Sequence, residues 1–238
     1  MQPLVFTLSR IDNLMHQVSF DPAEMKGKII TNTSFVERER LQETLAVFSD
    51  AIQAGLSVSP LIKLEEEGRY VRIKTACSLT ICGVLLKKGI PVRPKGGGLV
   101  EVIGREPTRF TDMLMYWATT VDPIDLLTAQ GLSDIAAMMR TGNGRILGNL
   151  HEAPMLARER IEEVLDLLSV AEFAGVLELG EPNMDVLGVF VERDHVGIAL
   201  IGGTNLVAAA QEMGIAIKHE SISDLTDVSE MKHIEELV

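Results

Sequence analysis

Between Arg38 and Leu56 apolar residues return at three- and four-residue steps. Leu41, Leu45, Phe48 and Ile52 share one face, which predicts an amphipathic helix. The rhythm recurs at Ile161, Val164, Leu165 and Leu168, inside a segment (RERIEEVLDLLSVAEFAGV, Arg158–Val176) that parallels the first (RERLQETLAVFSDAIQAGL, Arg38–Leu56). The chain repeats itself elsewhere too. GKIITN at Gly27–Asn32 parallels GRILGN at Gly144–Asn149. Val71–Pro94 aligns without a gap on Val196–His219, with Gly89 on Gly214 at a helix C-terminal position that favours glycine.

Each repeat reads strand, helix, strand, strand, helix, strand. In the first, strands are expected near 28–32, 57–65, 69–75 and 90–93, with helices near 36–54 and 79–88. In the second, strands are expected near 145–149, 184–192, 196–201 and 215–218, with helices near 155–174 and 204–213. Gly68 in EEEGR supplies the unusual backbone angle of one hairpin turn, and Asp194–His195 forms the matching turn. This order predicts an α+β (mixed α/β) fold: two ferredoxin-like βαββαβ repeats forming two lobes, joined by a structured α/β insert. The expected divisions are a lead-in over 1–26, a first lobe over 27–103, an insert over 104–143, a second lobe over 144–219 and an acidic tail over 220–238. Residues 95–143 join the repeats: KGGGLVEVIG gives a glycine turn and then a strand near 99–103, and RFTDMLMYWATT reads as another strand. Asp122-Pro123 then starts a helix, and Ser133 caps another. The tail reads as a peripheral helix.

Composition narrows the function. Lys and Arg number 22 against 34 Asp and Glu in 238 residues, a net charge of −12, which disfavours direct nucleic-acid contact because phosphates are repelled. Cys77 and Cys82 are the only cysteines and form neither a CxxC motif nor a disulfide framework, so a reducing cytoplasm is the expected setting. The N-terminus lacks a signal-peptide pattern and no apolar run is long enough to cross a membrane. The five histidines are scattered without a metal-binding spacing, and no metal or cofactor is expected.

One stretch invites a ligand. Thr75-Ala76-Cys77-Ser78-Leu79-Thr80 ends a strand and opens a helix, where unpaired N–H groups and the helix dipole attract anions. Ser78 and Thr80 add hydroxyls, and the repeat copy is Ile201-Gly202-Gly203-Thr204-Asn205. Capping by Ser78 and Thr204 is the plainer reading of the same residues. Lys95 with Gly96-Gly97-Gly98 combines a cation with an adaptable backbone, although it also reads as a loop between strands and is not a P-loop. Arg105 and Arg109 flank Pro107, and either offers a carboxylate clamp or a surface charge. Thr119, Thr120 and Asp122 read as turn and cap residues. Asn32 and Asn149 match between the repeats at a strand end, where each bonds a ligand or caps a loop. Cys77 precedes a helix, a place that stabilises a thiolate, but no histidine stands in a partner motif and a buried or ligand-lining thiol is favoured over a nucleophile.

GKIITNTSFVE, AGLSVSP, TACSLTICGVLLKKGIPVRPKGGGLVEV, RFTDML and TTVDPIDLL together resemble the regulatory domain of the NrpR-type archaeal nitrogen-regulatory repressors, over nearly the whole chain from Ile11 to Lys218. The resemblance implies a two-lobed, non-enzymatic sensor of 2-oxoglutarate whose ligand relieves repression of nitrogen-assimilation genes. It implies a homo-oligomer, a DNA-binding repressor subunit as partner, or both, with DNA contact left to a winged helix that this chain does not carry at its start. The residues expected to hold 2-oxoglutarate or a similar small dicarboxylate are Asn32, Thr75, Cys77, Ser78, Thr80, Lys95, Gly97 and Arg109. A ligand-independent co-repressor or oligomerisation module, and an enzyme using Cys77, are the alternatives.

Overall fold

In a computed structural model of the chain, residues 6–238 are described. The lead-in forms helix α1 (Phe6–Gln17), with Ile11 and Met15 buried. The first repeat follows as β1 (Lys28–Glu37), α2 (Leu41–Gln53), β2 (Leu61–Glu67), β3 (Tyr70–Ala76), α3 (Leu79–Lys87) and β4 (Arg93–Ile103). The insert gives β5 (Glu106–Met115), α4 (Pro123–Ala129) and α5 (Ile135–Thr141). The second repeat gives β6 (Gly144–Pro154), α6 (Arg158–Val170), β7 (Val176–Leu179), β8 (His195–Ile201), α7 (Asn205–Glu212) and β9 (Lys218–Asp227), and a short β10 (Lys232–His233) follows.

The two sheets run β10-β2-β3-β1-β9 and β5-β4-β6-β8-β7, and every pairing is antiparallel. Four adjacent strands of each, β9-β1-β3-β2 and β4-β6-β8-β7, follow the ferredoxin-like order of fourth, first, third and second strand, with β10 and β5 added at one edge. The fourth strands are exchanged, however. β9, from the second repeat, lies beside β1, whereas β4, from the first, lies beside β6. Each lobe is completed by the other half of the chain, a relationship that the linear order of elements does not reveal. Helices follow the same crossing: α2 packs against α7 and α3 against α6.

Local sequence accounts for most elements. In α2 Leu45 and Phe48 are fully buried, with Leu41 and Ile52 at the margin of the core. In α6 Ile161, Val164 and Leu168 are buried. Gly68 takes φ +62° in the β2–β3 hairpin, and Asp122 caps α4 through Oδ1, which accepts from Ile124 N at 2.8 Å. Residues 27–37 and 144–154 carry each repeat's central strand. Both strands bury nearly every residue, so they read as apolar or small runs rather than alternations.

Five expectations need correction. The strand near 90–93, the glycine turn at 95–98 and the strand near 99–103 are one continuous strand, β4, in which Gly96, Gly97 and Gly98 pair with both β5 and β6. The strand expected near 184–192 is irregular; the second strand of that repeat is β7 at 176–179. Positive φ at Asn183, Leu187 and Gly188 folds the 180–194 segment on itself, closed by mutual Val186–Val189 hydrogen bonds. The tail is not a peripheral helix, because 218–227 is β9, paired along β1. Ser133 does not cap α5. Its hydroxyl donates to Glu212 at 2.7 Å, and the Glu212 carboxylate, at the end of α7, accepts from Ile135 N and Ala136 N instead. Ser78 and Thr204 occupy the residue before α3 and α7, but neither side chain makes a capping bond.

Candidate functional site

Where the repeats meet, the starts of α3 and α7 face each other across a cavity of about 20 Å³. That is room for roughly one water molecule. Asn32, Cys77, Ser78 and Leu79 line it from the first repeat; Asn149, Gly203 and Thr204 line it from the second. Tyr116, Asp122 and Ile124 of the insert and Ser221 and Ile222 of β9 complete it. The walls are hydroxyls, amides and one carboxylate, and none of these residues is cationic.

Irregularity in the β1–β9 ladder builds one wall. The pairing shifts between Thr31 and Thr33, so Asn32 has no strand partner in β9. Ile222, at φ +49°, donates its N–H to Asn32 Oδ1 at 2.8 Å, and the Asn32 side chain thereby replaces a ladder carbonyl. The opposite wall is a hydrogen-bonded chain. Tyr116 Oη donates to Asn149 Oδ1 at 3.1 Å, and Asn149 Nδ2 donates to Ser78 Oγ at 3.2 Å. Gly203 lets the α7 start approach closely: a Cβ there would lie 2.5 Å from Asn32 Nδ2 and 3.2 Å from Cys77 Cα.

Two buried polar atoms lining this cavity find no hydrogen-bond partner among the described residues, Asn32 Nδ2 and Asp122 Oδ2. One is a donor and the other an acceptor, so together they ask for a group that offers both functions. Burial and, secondarily, the neighbouring Asp125 carboxylate push the Asp122 carboxyl up to about 6, against the pull of the Ile124 and Asp125 N–H groups and of Arg10. Asp125 itself accepts from Ser221 Oγ at 2.7 Å and lies 3.2 Å from His219 Nε2.

Of the eight residues expected to contact a ligand, the structure brings Asn32, Cys77 and Ser78 to the cavity. Thr75 is buried in β3 opposite Asn32, and Gly97 lies opposite Asn149 with its α-carbon against Ile124. Thr80 turns the other way, its hydroxyl exchanging hydrogen bonds with the backbone of Ile30. The N–H groups of Thr80 and Ile81 close onto the carbonyls of Cys77 and Ser78. Lys95 and Arg109 do not line the cavity. Lys95 pairs with buried Glu152 at 2.5 Å under the Phe190 ring, and Arg109 pairs with Glu101 at 3.0 Å on β5. Arg105, the other arginine flanking Pro107, lies beside Gly142, its N–H donating to the Gly142 carbonyl.

Sequence reasoning did not select Tyr116, Ser221 and Ile222, and took Asp122 only as a cap. The Asn149 match was visible in the repeat. Burial raises the Cys77 thiol to about 12, as do Asp122 and Asp125, against hydrogen bonds from Leu79 N–H and the Ser78 hydroxyl. At neutral pH it is therefore a thiol, not a nucleophilic thiolate. Beyond the cavity, His151 occupies the repeat position of Ser34. The Ser34 hydroxyl and both His151 ring nitrogens are buried without a partner among the described residues. No helix of the described residues is long and apolar enough to cross a membrane.

Comparison with known proteins agrees with this architecture. A solved structure of a nitrogen repressor-like protein from Methanococcus jannaschii superposes with a TM-score of 0.85 at 29% identity, covering 95% of this chain and 97% of that one. The global nitrogen regulator NrpRI of Methanosarcina mazei is 31% identical over 96% of this chain and 73% of its own length. The global nitrogen regulators NrpR of Methanocaldococcus jannaschii and Methanococcus maripaludis are 29% and 30% identical over 97% of this chain, which spans only 40% of their length. Residues 4–233 match the family described as NrpR regulatory domains NRD1 and 2, and the chain belongs to that family.

Proposed function

We propose that this chain is a ligand-sensing regulatory domain of a nitrogen repressor, that 2-oxoglutarate is its inducer, and that the cavity between the repeats is where the ligand enters. The supporting observation is the pair of partnerless atoms, Asn32 Nδ2 and Asp122 Oδ2, facing one hollow between two helix starts. A five-carbon dicarboxylate is several times larger than the space between these walls. Its entry therefore separates Asn149 from Ser78 and Asn32 from Gly203, contacts that join one repeat to the other. A ligand that binds only the opened arrangement shifts the protein toward it, and regulation follows from that difference in affinity. Repression by the whole assembly requires a DNA-binding partner or domain and an oligomer that responds to the opening.

Calorimetric titration tests this reading. Heat at millimolar 2-oxoglutarate or below is the expected result, with weaker heat for glutarate, which lacks only the keto oxygen. Absence of heat while circular dichroism reports an intact fold defeats it. A ligand-independent oligomerisation module is the second reading, favoured by the small cavity and its uncharged-to-acidic walls. In that case the mass of the assembly is the same with and without 2-oxoglutarate.

A further inference from the structure

Asp122 creates a problem for an anionic ligand. Its carboxyl is buried in the cavity wall, Oδ1 is committed to the α4 cap, and Oδ2 is free to meet whatever enters. No lysine or arginine lines the cavity to offset a second negative charge. Two carboxylates that touch in a poorly solvated site do not both stay ionised; they share one proton. Asn32 Nδ2, the other partnerless atom, is a donor suited to the same ligand carboxylate.

We infer, building on the sensing role above, that Asp122 is a specificity-determining residue that binds the ligand as a neutral acid: on binding, one proton passes from solvent to Asp122 Oδ2, which donates it in a hydrogen bond to a ligand carboxylate also held by Asn32 Nδ2. The proton is the only species added, and no covalent bond within the ligand or the chain is made or broken. Other groups around Asp122 serve different ends. Asp125, on the same helix, is held by Ser221 and His219 of β9. Tyr116 and Cys77 are buried with their pKa values pushed upward, so both stay protonated. Arg10 of α1 acts on Asp122 as a distant favourable charge. The Asp122 carboxyl, raised to about 6, lines the same cavity as the partnerless amide of Asn32 and is the group that changes charge with the ligand.

Titrate the full chain with 2-oxoglutarate at pH 7.5 in two buffers of different ionisation enthalpy, then across pH 6.5–8.5. About one proton taken up per ligand is expected, with Kd rising roughly tenfold per unit above pH 7. Asp122→Asn keeps an oxygen for the α4 cap and presents a permanent N–H donor, so it is expected to bind with no proton uptake and a flat pH profile. Heat without proton uptake in the unsubstituted chain overturns the inference and leaves the sensing role standing. Uptake that persists in Asp122→Asn assigns the proton elsewhere and overturns it too. If no heat is seen with an intact fold, both readings fall. Should Asp122→Asn not fold, the two-buffer comparison decides.

Discussion

Asn149 Nδ2 donates to Ser78 Oγ at 3.2 Å, joining the central strand of one repeat to the helix start of the other, with both side chains buried. The same amide accepts from Tyr116 Oη, so one side chain ties together both repeats and the insert. Replacing Asn149 by Ala strands a phenol and a hydroxyl away from water. The expected loss is about 1–3 kcal/mol. In urea unfolding, a double-mutant cycle with Ser78→Ala should give a coupling of at least about 0.5 kcal/mol. Strict additivity would mean that this contact carries no energy.

Gly203 is required by space rather than by backbone angle. A methyl group there meets Asn32 Nδ2 at 2.5 Å and the Cys77 backbone at 3.2 Å. Gly203→Ala should destabilise the fold by about 1–3 kcal/mol, the usual cost of overpacking, and should weaken 2-oxoglutarate binding beyond what the lost stability explains. An unchanged melting temperature would show that the α7 start retreats freely.

His151 makes the protein acid-sensitive. Burial alone lowers its imidazole from an ordinary 6.5 to about 4. Because the folded value is the lower one, the unfolded chain binds the extra proton as pH falls below 6.5, and stability declines until pH passes 4. By pH 4.5 this group costs on the order of 2 kcal/mol relative to pH 7. His151→Leu, which also removes two buried atoms lacking partners, should flatten that part of the pH–stability curve. Parallel curves for the two proteins would count against the assignment.

Cys77 and Cys82 are fully buried, and burial pushes both thiols upward, Cys77 to about 12 and Cys82 further. A thiol-reactive chromogenic reagent at pH 8 should label neither in the native protein and both in denaturant. Ligand-induced labelling of Cys77 alone would report opening of the cavity it lines. Rapid native labelling without ligand would contradict the burial.

Much of what is local or repeated was legible in the sequence, although the caps expected at Ser78, Ser133 and Thr204 do not form. Heptad-like spacing located α2 and α6, the Asp122-Pro123 pair located α4, and the gapless match of 71–94 on 196–219 predicted two equivalent halves. Non-local choices were hidden. Nothing in residues 218–227 tells whether they pair within their own repeat or with β1, since the side-chain alternation suits either. Reading 220–238 as an acidic tail and peripheral helix, rather than as part of a strand, concealed Ser221 and Ile222 from the cavity. Lys95 and Arg109 were attractive as anion ligands because their partners, Glu152 and Glu101, become neighbours only through sheet pairing. The 184–192 strand was inferred from the repeat alone, and backbone reversals at Asn183 and Leu187 override it.

The exchange of fourth strands also bears on how the molecule is born. Thr31 in β1 lies beside Asp224 in β9, so the first-made sheet cannot close until synthesis has passed residue 227. Until then the exposed flank of β1 is an open template for a neighbouring nascent chain. Swapped dimers of this protein should therefore arise during synthesis on crowded polysomes more readily than from dilute refolding.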